Sequence, residues 1–170
     1  MNAPARLVGL LLLATGGCTA DIQSRPETFD IQGSAKLRGD QRIALHNAYQ
    51  VPTVVTIMRS GINRWEADLK SLTDTGIAML GRHMGKQGIT IDSGATKKVT
   101  LRVHEVTATV APFSNRVFLT LDAELGNGAT RSIRMPNTSP EAQRALDGAV
   151  VLGLTELLKD EQFLAYVNGY

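Results

Sequence analysis

Residues 116–125 alternate between apolar and polar side chains, and this pattern constrains the fold more than any other feature of the chain. A period of two is typical of an antiparallel strand that packs one face on a core and exposes the other to water. The Asn127-Gly128 pair that follows favours a tight hairpin, so 129–135 is predicted to be the return strand. The chain must therefore contain a sheet with one wet face.

A second strand is predicted immediately before this hairpin. Residues 99–110 are rich in β-branched side chains, and their apolar phase changes at His104-Glu105, which predicts a bulge. Together with the hairpin they form a predicted three-stranded meander. Shorter strands are predicted over 41–47 and 53–58 by the same composition.

Two longer segments have helical periodicity. The first is predicted as a helix over 62–87, and the second begins after Ser139, which is a suitable N-cap before Pro140. The apolar positions of the first helix are Ile62, Trp65, Leu69, Leu72, Gly76, Leu80 and Met84, and those of the second are Ala142, Leu146, Ala149, Val150, Gly153, Leu157 and Leu158. The order predicts an α+β fold with a mostly antiparallel sheet (strand–helix–three-stranded meander–helix) and two amphipathic helices on one face.

The N-terminus has the features of a secretory signal. Arg6 precedes the apolar run 7–14, which is too short to span a bilayer, and Gly16-Gly17-Cys18 follows. This ending resembles a bacterial lipobox, although Thr15 stands where that motif prefers Leu. The resemblance implies that the chain is cut before Cys18, whose sulfur then carries diacylglycerol and whose new amine is acylated.

The resulting organisation is a lipoprotein signal peptide at 1–17, a lipidated polar tether at 18–27 and one periplasmic α+β domain at 28–170. By resemblance to enterobacterial sorting, Thr19 in place of an Asp favours the outer membrane. Cleavage after Ala20 is the alternative, and it would release a soluble periplasmic protein.

The whole pattern resembles a known group of proteins. A lipobox, a β–α–β–β–β–α order and a last helix that ends in Leu-Leu-Lys-Asp-Glu-Gln-Phe-Leu at 157–164 are similar to the YajG-like small Gram-negative outer-membrane lipoproteins. Lipopolysaccharide-transport and ABC-transport auxiliary lipoproteins are similar in outline. These families are mostly uncharacterised or non-catalytic. The resemblance therefore implies an envelope location and an α+β fold.

Composition and motifs favour no enzyme class. The net charge is +2, so there is no basic field for nucleic acid, and one cysteine excludes an intrachain disulfide or a cysteine-based zinc cluster. Gly76-x4-Gly81-Arg82-His83 lacks the Lys and Ser/Thr of a phosphate-binding loop. His46, His83 and His104 have no metal-ligand spacing. No metal and no cofactor beyond the Cys18 lipid is expected.

Two surface candidates remain. Lys97, Lys98 and Arg102 form a basic cluster that is either a solvated loop or a contact with anionic headgroups or an acidic partner. A short apolar segment near the C-terminus either folds back onto the core or is an exposed partner-binding tail; it consists of Phe163, Leu164, Tyr166 and Val167.

Three functions are consistent with these features. The first is a non-enzymatic lipoprotein that acts as an adaptor or accessory subunit of an envelope complex, with an unidentified protein partner. The second is a lipid- or lipopolysaccharide-handling protein, or an ABC-transport auxiliary lipoprotein, which holds an acyl chain between helices and sheet. The third is a hydrolase, which requires a deep polar cleft that joins a histidine to a carboxylate.

Overall fold

The strands form two sheets, of five and three strands, in a computed structural model that describes residues 19–21, 31, 33 and 35–169. The elements in chain order are β1 Thr19–Asp21, β2 Arg42–Asn47, β3 Val54–Ser60, β4 Asn63–Asp68, α1 Leu69–Lys86, β5 Thr90–Ile91, β6 Lys97–Ala111, β7 Ser114–Leu125, β8 Thr130–Ser139, α2 Ala142–Leu157 and α3 Glu161–Asn168. The α+β class predicted from the sequence is confirmed. In the part of the chain that is described, no helix is long and apolar enough to cross a membrane.

The five-stranded sheet has the order β5-β2-β6-β7-β8. Its last three strands are the predicted antiparallel meander, whereas β2 runs parallel to both β5 and β6. The smaller sheet has the order β1-β4-β3, with β1 parallel to β4. The sheets are therefore mixed, and the expectation of a mostly antiparallel sheet holds for the meander but not for β1, β2 and β5.

The predicted bulge lies in β6. The register passes from Val103 opposite Leu121 to Glu105 opposite Thr120, so His104 is the additional residue. His104 and Glu105 are consequently both exposed, while Val103 and Val106 on either side are both buried. The phase change in the sequence thus marks a bulge that keeps the apolar side chains of a long strand on one face.

Both α1 and α2 pack on the same face of the large sheet, as predicted. Helix α1 lies against β2 and β6, α2 lies against β7 and β8, and the two helices contact each other. Gly148 permits the close approach of α2 to β8, because a Cβ there would lie 2.9 Å from Asn137 Cγ. The largest buried side chains at this helix–sheet interface include Leu72, Leu80, Met84, Leu101, Leu119, Leu121, Leu146, Leu154 and Leu157.

The predicted start of the first helix is wrong. Residues 63–68 form β4, which pairs with β3 across a turn where Gly61 has a φ of 59°. Ile62, Trp65 and Leu69 matched helical spacing by coincidence, since Ile62 is exposed at the turn and Trp65 lies on a strand. The helix begins only after Asp68, whose carboxylate accepts a hydrogen bond from Lys70 N at 3.0 Å.

Two further boundaries differ from the predictions. Strand β8 continues to Ser139, which pairs with Asn115, and the N-cap of α2 is therefore Glu141 and not Ser139. The tether prediction is wrong for Thr19–Asp21, because these residues form β1. Residues 22–27 of that predicted tether lie outside the described residues, as does the signal segment.

Candidate functional site

The face of β6, β7 and β8 that points away from α1 and α2 is a broad exposed surface, called here the outer face. Because the helices cover one face of the sheet, alternate side chains of these strands reach solvent on the other. Its central members are Arg102, His104, Glu105, Thr107, Thr109, Arg116, Phe118, Thr120, Asp122, Ser132 and Arg134.

Phe118 lies between two arginines on the outer face. The guanidinium carbons of Arg116 and Arg134 are 4.8 Å and 5.2 Å from the centroid of its ring, which is the geometry of a cation–π contact. Arg134 reaches the ring diagonally from β8, where it is paired with Thr120. Both arginines are exposed, and neither forms an ion pair with a carboxylate of the described residues.

This cluster departs from the pattern of its own strand. The outward positions of β7 are otherwise Arg116, Thr120, Asp122 and Glu124, so Phe118 is the one apolar residue in the polar phase of the alternation. Phe118, Arg116 and Arg134 are not among the site residues predicted from the sequence. An aromatic residue in the wet phase of an otherwise regular strand is the signal that identifies the site, because it has no core to pack into.

The turn between β6 and β7 adds apolar surface at one end of this face. Phe113 is 92% exposed in this turn, whereas Val110, which is 57% exposed, lies opposite Asn115 in the inward phase of β6. Exposure of these two apolar side chains to water costs free energy. Neither side chain packs in the core, so no packing within the described part of the chain offsets that cost.

A polar network lies further along the outer face. His104 Nδ1 is 3.0 Å from Asp122 Oδ2, and Ser132 Oγ donates to Asp122 Oδ1 at 2.7 Å. In a hydrolytic triad the histidine lies between the serine and the carboxylate, whereas here the carboxylate lies between the other two. The His104 side chain is also 53% exposed on an open sheet. The network therefore lacks the base–nucleophile contact and the enclosed cleft that a hydrolase needs.

The C-terminal apolar segment belongs to the core, which is the first of its two predicted alternatives, so the second, an exposed partner-binding tail, is wrong. Phe163 and Val167 are fully buried, and Leu164 and Tyr166 are partly buried against the same core. The Tyr166 hydroxyl accepts from Lys98 N at 2.9 Å and donates to Lys98 O at 3.1 Å. Amphipathic α3 thus closes one end of the helix–sheet interface.

The structure divides the predicted basic cluster between two faces. Lys97 is half-buried on the helix side, where its Nζ donates to Gln41 Oε1 and Val167 O. Lys98 and Arg102 are exposed on the outer face, and Arg102 Nε lies 3.4 Å from the Tyr49 hydroxyl. The three residues therefore form no common patch, and only Arg102 belongs to the region around the bulge.

The glycine and histidine residues that were considered as phosphate or metal ligands lie within the elements of the fold. Gly76 is buried in α1, where a Cβ would lie 3.8 Å from Val150, so it packs a helix and lines no phosphate loop. His83 Nε2 is 2.8 Å from Gln87 Nε2, and the buried Nε2 of His46 has no hydrogen-bond partner. Among the residues that the structure describes, no group of three potential ligands could hold a metal ion. Cys18 lies outside them.

Sequence comparisons match no family and no curated protein, whereas similar chains occur among solved structures. No protein-family model matches the chain. No curated protein matches it significantly. Among solved structures, it is similar to a Xanthomonas campestris protein of the DUF330 family, with 13% identity and a TM-score of 0.49 over 88% of this chain and 94% of the other.

Proposed function

We propose that this protein is a lipid-anchored envelope adaptor without catalytic activity. In this proposal Cys18 holds it at the periplasmic face of the outer membrane, and the outer face of β6–β8 docks an acidic surface of a partner protein. The observation that carries the docking part is Phe118, which lies half-buried on the outer face between two exposed arginines that form no ion pair with a described carboxylate.

The anchor is supported by the N-terminal sequence. The apolar run 7–14 leads to Gly16-Gly17-Cys18, and the fold begins at Thr19 with β1. Several acyl chains on one cysteine satisfy the need for more than one lipid signal in stable anchoring. A folded domain that starts one residue after its lipid is held close to the membrane surface.

The docking role is supported by the composition of the outer face. Aromatic and arginine side chains are enriched in protein interfaces, where they contribute more binding energy than other residues. Two guanidinium groups that form no ion pair with a described carboxylate favour a partner that presents carboxylates, because such a partner supplies both hydrogen bonds and opposite charge. The ring of Phe118 and the methyl groups of Thr107 and Thr109 provide the apolar part of the contact.

Within the residues that the structure describes, the lipid-handling alternative has less support. The helix–sheet interface, where an acyl chain would have to lie, is filled by leucine and methionine side chains that are at most 2% exposed, among them Leu80, Met84 and Leu121. A groove of about 420 Å³ lies elsewhere, beside residues 36–40 and Asn168. It is lined by Lys36, Arg38 and Asp40 and is open to water, so its walls do not suit an acyl chain.

The proposal is tested by affinity isolation from detergent-solubilised envelopes. A tagged wild-type protein is compared with the Arg116→Glu/Arg134→Glu variant, and the co-purifying proteins are quantified. We expect a partner protein that co-purifies with the wild type and is lost in the charge-reversed variant. The Arg131→Lys variant is the matched control and should retain the partner, because Arg131 forms an ion pair with Asp160 away from the outer face. Equal recovery of every co-purifying protein by wild type and by the charge-reversed variant would contradict it.

A further inference from the structure

The small sheet β1-β4-β3 places the start of the fold beside the β3–β4 turn. Thr19 pairs with Arg64, Ala20 with Trp65 and Asp21 with Glu66, and the two strands run in parallel. The N-terminal end of β1 therefore lies at the same end of the sheet as Asn63 and the turn. Cys18 is bonded directly to Thr19, so its Cα lies about 3.8 Å from that of Thr19.

The turn at this end of the small sheet is apolar and unpacked. Ile62 is 71% exposed, and Gly61 provides the positive φ of 59° that the tight turn requires. Strand β3 ends at Ser60, which pairs with Asn63 on the other side of the turn. Ile62 is thus an exposed apolar side chain at the end of the small sheet where β1 begins, one residue after Cys18.

Two arginines stand directly opposite each other just behind the turn. Arg59 of β3 pairs with Arg64 of β4, an arrangement in which like charges repel across the strands. Arg64 is compensated by Glu66 at 2.9 Å, and its Nε also donates to Thr19 Oγ1 at 3.3 Å. Arg59 is exposed and has no ion pair with a described carboxylate, so the end of the sheet has an excess of positive charge.

From these observations we infer that the β3–β4 turn is a membrane-contact site, with Ile62 in the headgroup layer and Arg59 and Arg64 against lipid phosphates. The inference rests on the proposed lipid anchor and adds to it a fixed orientation. An acyl anchor alone leaves the domain free to tilt, whereas an apolar tip and two basic side chains beside it supply a second, reversible contact. The outer face is then presented at a constant angle to the membrane.

The single tryptophan of the chain is a native reporter for this contact. Trp65 pairs with Ala20, which is two positions after Cys18, so the Cα atoms of Ala20 and of the anchor residue are at most about 7 Å apart. Spin-labelled headgroups quench a tryptophan only when it is near the surface. The quenching therefore measures how closely the β3–β4 turn approaches the lipid.

The experiment uses the full-length lipidated protein in vesicles of phosphatidylethanolamine and phosphatidylglycerol that contain a headgroup spin label. Palmitate incorporation is measured on the same preparations, and each variant is normalised to its emission in unlabelled vesicles. The expected result is strong Trp65 quenching in the wild type, reduced in Ile62→Asp and in Arg59→Glu and unchanged in Val110→Asp. The last is a matched control, because Val110 is also exposed near a hairpin turn.

The possible results distinguish a failure of the membrane-contact site from a failure of the lipid anchor on which it rests. A palmitate-labelled protein whose Trp65 is not quenched, or is quenched equally in all four proteins, overturns the membrane-contact site and leaves the anchor intact. Absence of palmitate from the wild type overturns the anchor and the site together. High salt should weaken the contribution of Arg59 and not that of Ile62, because only the charged contact is screened.

Discussion

Thr73 of α1 accepts a hydrogen bond on its Oγ1 from Val103 N, in β6, at 2.9 Å. The same hydroxyl donates to Leu69 O at 2.8 Å, and both residues are buried. Val103 directly precedes the bulge, beyond the point where β2 ends its pairing with β6 at Leu101. The Thr73 hydroxyl therefore accepts from the N–H of Val103, which has no strand partner on that side of the sheet. The same hydrogen bond joins α1 to the bulge in β6 that shapes the outer face.

We predict that Thr73→Val destabilises the fold by about 1–3 kcal/mol, because it leaves a buried N–H unsatisfied at nearly unchanged volume. Thr155→Val is the matched control. Thr155 makes the same bond to the preceding helical turn, Val151 O at 2.8 Å, but has no strand partner, so its effect should stay within about 0.5 kcal/mol. Urea unfolding measures both, and equal effects would show that the bond to Val103 contributes nothing.

The two phenylalanines Phe163 and Phe113 should behave in opposite ways. Phe163 is fully buried under α3, so Phe163→Ala should lower the free energy of unfolding by about 3–5 kcal/mol. Phe113 is 92% exposed, and Phe113→Ala should leave stability unchanged within about 0.5 kcal/mol. Thermal unfolding of the two variants is the measurement. A stable Phe163→Ala protein would reinstate the C-terminal segment as a surface feature.

Asp68 tests the corrected start of α1. Its Oδ1 accepts from Lys70 N at 3.0 Å and from Thr53 N at 2.7 Å, which caps the helix and joins it to the chain before β3. Asp68→Ala should therefore cost about 0.5–2 kcal/mol, and Asp68→Asn, which keeps an acceptor oxygen, clearly less. Leu72→Ala should cost about 2–5 kcal/mol, since Leu72 is 1% exposed. An Asp68→Ala protein as stable as wild type would support a helix that begins earlier.

Asp74 gives the fold a defined pH response. Partial burial raises the pKa of its carboxyl, but hydrogen bonds from Lys70 and Asn47, each at 2.7 Å, lower it more, so the pKa lies below its ordinary 3.8. A lowered folded-state pKa contributes stability that is present above 3.8 and is lost as the pH falls through the folded value. Asp74→Asn should therefore reduce the loss of stability between about pH 5 and pH 2.

Urea unfolding at several pH values across that range measures the slope with which the free energy of unfolding falls as the pH is lowered. Glu124→Gln is the control, because Glu124 is an exposed carboxylate on the opposite surface of the sheet. An Asp74→Asn protein with the slope of the wild type would mean that the contact between β2 and α1 has no electrostatic component.

The sequence predicts the meander well because its signals are local. The alternation in β7, the Asn127-Gly128 turn and the phase change at the β6 bulge each depend on neighbours in the chain, and the structure contains all three. The parallel pairing of β2 with β6 is not local, because residues more than 50 positions apart form it. No periodicity in either strand specifies such a partner.

The errors in the candidate site have physical causes. Phe163 and Val167 are as apolar as an interface would be, and only the folded chain shows that α3 turns them into the core. Phe118 was overlooked because an apolar residue within a β-rich segment reads as core until its register is known. Once Phe118 is placed opposite Thr107 on the outward phase, its position on the outer face and outside the core follows.

The most direct test of the central claim is photocrosslinking in living cells from the outer face. A benzophenone amino acid replaces Thr107, which is paired with Phe118, and in a second strain it replaces Gln162, an exposed residue of α3. The account predicts a discrete crosslinked species from position 107 that disappears in an Arg134→Glu background and is absent from position 162. A crosslink from position 162 alone, or one from position 107 that is unaffected by Arg134→Glu, would contradict the assignment of the outer face as the docking surface.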